Sequence, residues 1–132
     1  MENLFELVPQ NKFDNMNMGL LKEIDTKEAA PILWELLQWL QDINWPVAKE
    51  LMYVLPRFHS ELVPHIKVVL NSSDDIWKCW VLCLVKNFPK ETVMLLEADI
   101  KRIVNCPADG ELEENTDVYA REVARQFGFS IE

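Results

Sequence analysis

W-E-L-L-Q-W-L-Q-D-I-N-W-P-V-A, residues 34 to 48, is the stretch from which the architecture of this chain is read. With Ile32 and Leu33 just before it, its leucines recur at helical spacing and cover more than one face. A helix apolar on two sides packs against two neighbours. Asp42, Ile43 and Asn44 then form a polar turn, and Trp45-Pro46 opens the next helix. Proline suits that position, because the first amides of a helix have no intrahelical partner to lose. The second helix carries Val47, Ala48, Leu51, Met52, Val54, Leu55 and Phe58, and Pro56 should end or kink it.

The same pattern returns downstream. Residues 61–70 read as a helix with Leu62, Val63, Ile66, Val69 and Leu70 inward and Pro64 near its start. Residues 71–75 are a turn rich in capping side chains, and 76–88 read as the most buried helix, closed by Pro89. Pro31 and Pro64, Asp42 and Asp75, Leu51 and Leu84, and Pro56 and Pro89 are each 33 residues apart. Four matches at one offset, in helix-turn-helix units, indicate an internal repeat. A looser third unit follows: a helix over 92–104, an acidic loop over 105–115 and a helix over 116–127. Upstream, residues 1–12 read as an extended lead-in. A helix capped by Asp14 or Asn15 follows, with Met16, Leu20, Leu21 and Ile24 inward, and the next runs from 27 to 42. The expected fold is all-α: a short right-handed α-α superhelix of about three helix pairs, with an atypical terminal unit as a cap. It is expected to span 1–132 as a single domain.

Composition narrows the function classes. A chain of 132 residues with 49% hydrophobic content can bury a real core. Thirteen basic residues against 22 acidic ones give a net charge of −9, and the basic residues are scattered. Such a surface repels phosphate, so neither nucleic acid nor an anionic membrane is an expected partner. The three cysteines, Cys79, Cys83 and Cys106, read as reduced thiols. The N-terminal residues lack the basic start of a signal peptide, and no apolar run approaches the roughly 20 residues a membrane helix needs. A cytoplasmic location is the expectation.

Some of these residues also carry a resemblance. W-L-Q-D-I-N-W-P-V-A (39–48), L-V-P-Q-N-K-F-D (7–14), V-P-H-I (63–66) and D-D-I-W-K (74–78) resemble a family of small bacterial proteins of unknown function. That family has a HEAT-like α-α superhelical fold, and its members carry a similar acidic loop before the last helix. The resemblance implies the fold and no activity. By fold-level analogy, HEAT-like arrays are scaffolds that bind protein partners.

The residues with chemical potential are weighed one by one. His59 and His65 have no convergent partners of the kind acid–base work needs, so His59 is placed in a loop and His65 on a helix surface. Cys79 and Cys83 share a helix face but lack a second ligand pair for zinc, and read as buried thiols. Asp109, Glu111, Glu113 and Glu114 lack the spacing of a calcium loop and read as a solvated, mobile segment. No catalytic residue, metal or cofactor is expected. Trp34, Trp39, Trp45, Trp77 and Trp80 read first as core, with an alternative in which Trp45 and Trp77 edge a recognition groove. Asp42, Asn44, Asp74 and Asp75 read as helix caps, or as an acidic ridge facing a basic partner. The expected function is a non-enzymatic protein-interaction module, with Asp42, Asn44, Trp45, Asp74, Asp75 and Trp77 as candidate partner-binding residues. A narrower form is an immunity-type neutraliser of a basic toxin. The enzymatic alternative is a DNA-base glycosylase type of scaffold, which the missing basic groove disfavours.

Overall fold

In a computed structural model, residues 4–131 are described, and among them every regular element is helical. The α-helices are α1 (Met18–Glu23), α2 (Leu33–Gln38), α3 (Pro46–Val54), α4 (His59–Leu70), α5 (Asp75–Val85), α6 (Lys90–Met94), α7 (Glu97–Asn105), α8 (Asp109–Glu113) and α9 (Thr116–Gln126). Tighter 3-10 turns at Leu4–Leu7, Ala30–Ile32, Trp39–Gln41 and Leu55–Phe58 precede or extend several of them. No described helix is long and apolar enough to cross a membrane.

Helix α3 shows how sequence produces structure here. Pro46 occupies its first turn, and Val47, Ala48, Leu51 and Val54 lie on one face, fully or almost fully buried. Pro56 falls in the 3-10 turn that follows, so the axis is interrupted there as its missing N–H requires. Helix α4 begins two residues before the expected start and holds Pro64 in its interior. Its five expected inward residues are all buried.

The contacts order these helices. Helix α4 lies between α2 and α7, while α5 packs on α4, on the 39–41 turn and on α9; α9 also packs along α7. Three side-chain bonds join helices at similar sequence separations. His59 meets Thr92 and Lys78 meets Glu111, both 33 residues on, and Lys67 meets Asp99, 32 residues on. Buried apolar residues from Met18 to Ala124 form one continuous cluster.

Several expectations fail locally. The lead-in is wound into a 3-10 turn at Leu4–Leu7 instead of being extended, and the part of that expectation covering residues 1–3 lies outside the described residues. In the first helix Met16 and Leu20 are 84% and 56% exposed, whereas Met18 and Leu21 are buried. The helix starts at Met18, so its inward stripe is set from there. The helix expected over 27–42 is three pieces, because Pro31 cannot donate and the ends tighten into 3-10 turns. The helix expected over 92–104 breaks at Leu95–Leu96, where both amides donate to carbonyls three residues back. That tighter winding allows Val93, Leu96 and Ile100 all to be fully buried.

Candidate functional site

Three features stand out on the helical frame: a buried ion cluster, an aromatic cleft at the 39–45 turn, and an apolar face on α3 and α5.

The ion cluster overturns the solvated-loop expectation at Glu111, whereas Asp109, Glu113 and Glu114 are exposed as expected. Residues Asp109–Glu113 form α8, and Glu111 is 0% exposed. Arg102 on α7 clasps its carboxylate with two nitrogens, at 2.6 and 2.8 Å. Lys78 on α5 donates to the same carboxylate at 2.9 Å, and so does the Ala108 amide at 2.7 Å. Burial alone would raise the Glu111 carboxyl, but these donors outweigh it and hold the pKa down to about 2. Lys78, itself 3% exposed, completes its shell with Asp75 at 2.8 Å. A second Arg102 nitrogen donates to the Leu70 carbonyl at 3.3 Å, so the cluster ties α4, α5, α7 and α8 together. With every member partnered, its chemistry is structural. Among the described residues no group of three or more His, Cys, Asp or Glu is arranged to hold a metal ion.

The candidate partner-binding residues separate. Trp77 is 6% exposed, its indole N–H donates to the Leu37 carbonyl at 3.1 Å, and its ring packs on Trp34 at 5.5 Å. Burial therefore selects the core reading of Trp77 and removes it from any groove edge. Asp74 caps α5, accepting from the Trp77 amide at 3.0 Å, and Asp75 pairs with Lys78. Asp42 closes a turn by accepting from the Asn44 amide at 2.9 Å, and Asn44 is exposed. Trp45, half-buried, faces Trp39 at 5.4 Å with an interplanar angle of 71°. Trp45 lines one cleft while Asp74 and Asp75 line another, so the six residues do not share a single cavity.

The Trp39–Trp45 cleft has a local cause. Asp42 fixes the turn, Pro46 holds the preceding Trp45 extended at ψ 131°, and the 3-10 turn at Trp39–Gln41 presents Trp39 across from it. The Val47 amide donates to the Lys12 carbonyl at 3.1 Å, anchoring the N-terminal segment whose Val8 and Pro9 complete the walls. The cavity holds about 300 Å³, and Glu35, Gln38 and Gln41 supply its polar side.

The third feature was not anticipated. Tyr53 on α3 is 87% exposed and borders two adjoining clefts. One, about 310 Å³, is lined by Ile43, Lys49, Met52, Tyr53, Trp80 and Cys83; the other adds Pro56 and Asn87. Trp80 in turn meets Tyr119 of α9 edge-on at 6.2 Å. Met52, one of the apolar residues of that helix, is only half-buried and lines both clefts. The available signal was Tyr53 itself, an aromatic lying off the Val47–Leu51–Val54 stripe of its helix.

The histidines and cysteines are mostly structural. His59 starts α4 instead of lying in a loop, its Nδ1 is 2.8 Å from the Thr92 hydroxyl, and its ring tilts onto Phe88. His65 packs against Trp34 at 5.7 Å, and burial lowers its pKa. Cys79 is buried, Cys83 half-buried and Cys106 exposed, and burial raises the pKa of the first two.

Fold and sites thus define an all-helical protein whose open clefts lie at a tryptophan-lined turn and on an apolar helix face. The chain belongs to the family described as domain of unknown function DUF5071, whose model matches residues 7–124. No curated protein matches the chain.

Proposed function

We propose that this chain is a HEAT-like α-α superhelix acting as a non-catalytic protein-interaction module, with the α3–α5 face as its docking surface. The carrying observation is Tyr53, 87% exposed between two clefts that share it with Met52. A large aromatic that stays in water beside further apolar walls is the kind of side chain that anchors interfaces. The superhelix is supported by the order of helix contacts and by side-chain bonds at the 33-residue offset, the pattern of units that touch mainly their neighbours.

The occupant is a partner protein presenting an apolar segment with an adjacent carboxylate. Lys49 on the cleft wall pairs with no carboxylate among the described residues, and it offers the complementary charge. The test places a photo-reactive phenylalanine analogue at position 53 and irradiates the native cell. One partner should crosslink there, none at the exposed Glu113, and Lys49→Glu should weaken the crosslink without lowering the melting temperature. Equal crosslinking from both positions refutes the reading, and so does capture of a second copy of this chain.

A further inference from the structure

We infer that the Trp39–Trp45 cleft binds an organic cation, an alkylated ammonium or guanidinium group. Two observations and the chemistry of indole converge on that ligand class. Trp39 and Trp45 stand at 71° with centroids 5.4 Å apart, so they form two walls of an aromatic corner. Both are half-buried and line the same open cavity, so ring surface faces its interior. The electron-rich face of an indole attracts a cation best when the cation is weakly hydrated, which describes methylated ammonium and guanidinium better than a bare ammonium.

Glu35 supplies the counter-charge. It lies on α2 at the rim, receives a hydrogen bond from the Gln38 side chain at 3.3 Å, and pairs with no cation among the described residues. Lys12, on the neighbouring N-terminal segment, is directed elsewhere, its ammonium lying 5.3 Å from the centre of the Phe13 ring. A carboxylate with no cationic partner, lining the same cleft as two tryptophans in a chain of net charge −9, leaves room for one positive group. The volume of about 300 Å³ is at the small end of ligand sites, suited to a head group and not to a large ligand.

The cation comes either from a free small molecule or from an arginine or methylated lysine of a partner. The experiment follows the indole N–H signals of the full chain by NMR, with Trp39 and Trp45 assigned through Trp39→Phe and Trp45→Phe. The probes are choline, its uncharged isostere 3,3-dimethylbutan-1-ol, and a short peptide carrying trimethyllysine. Choline should shift the Trp39 and Trp45 signals saturably, and the uncharged isostere should bind about tenfold more weakly or worse, as loss of a cation–π contact with its ion pair requires. Glu35→Gln, an exposed substitution, should weaken choline several-fold while leaving the melting temperature unchanged. Tighter binding of the peptide than of choline assigns the cation to a protein partner; the reverse assigns it to a free molecule. Equal binding of choline and its isostere overturns the inference. So does a Glu35→Gln protein that binds as the wild type, or the absence of any saturable shift with all three probes. The Tyr53 face takes no part in these titrations, so either surface can fail without the other.

Discussion

Replacing Glu111 with glutamine tests the cluster that holds the last third of the chain in place. The wild-type carboxylate accepts from Arg102 twice, from Lys78 and from the Ala108 amide, all between 2.6 and 2.9 Å. Glutamine keeps the shape but turns one acceptor oxygen into an NH₂ group, which must face a donor. Lys78 would then keep only Asp75, with its side chain still 4% exposed. Leaving a buried ion without its partner costs about 3–5 kcal/mol. The Glu111 pKa gives an independent figure: a fall from 4.5 to about 2 corresponds to roughly 3 kcal/mol of stability from the ionised form. Against a total of about 5–15 kcal/mol for a domain, that loss is large.

The pH dependence has a definite sign. The folded pKa lies below the unfolded one, so the contribution is complete above about 4.5 and is lost as pH falls toward 2. Urea unfolding at neutral pH should therefore show Glu111→Gln about 3 kcal/mol less stable, with an unchanged slope. The gap to wild type should narrow by about 2 kcal/mol between neutral pH and about pH 3. A neutral-pH loss below about 1 kcal/mol, or a gap that ignores pH, refutes the assignment of Glu111 as a buried, ionised hub.

Three further outcomes are expected. Asp74→Ala removes the α5 cap and should lower stability by about 1 kcal/mol in the same assay. Gly110→Ala places a Cβ against Asp75 Oδ2, a side chain already held by Lys78, and should cost about 1–3 kcal/mol by thermal unfolding. Labelling with an aromatic disulfide reagent at neutral pH should modify Cys106 first and Cys83 slowly. Cys79, 5% exposed with its pKa raised by burial, should react only on unfolding.

The candidate sites were less legible than the helices. Glu111 sits among Asp109, Glu113 and Glu114, and composition alone makes all of them solvated. Its actual partners come from α5 and α7, 33 and 9 residues away in sequence. Lys78 is one of the few strongly polar residues of an otherwise apolar helix, and that misfit is the usable clue to a buried ion partner. Trp45 and Trp77 each follow a polar turn at or near the start of a helix, yet one lines a cleft and the other is core. The difference is what lies over them: Trp77 has Trp34 and the Leu37 carbonyl, whereas Trp45 has Trp39 and an open cavity.

By sequence alone this chain determined its helical class, the break in the helix at Pro56 and the buried faces of α3, α4 and α5. Those are short-range consequences of apolar spacing and of proline's missing donor, which act within a turn or two of helix. Tertiary structure decided which charge is buried, which tryptophan is open, and that Tyr53 faces water. Each of those depends on what another segment lays over the residue, and the same side chain is stable in either setting once its polar atoms are partnered.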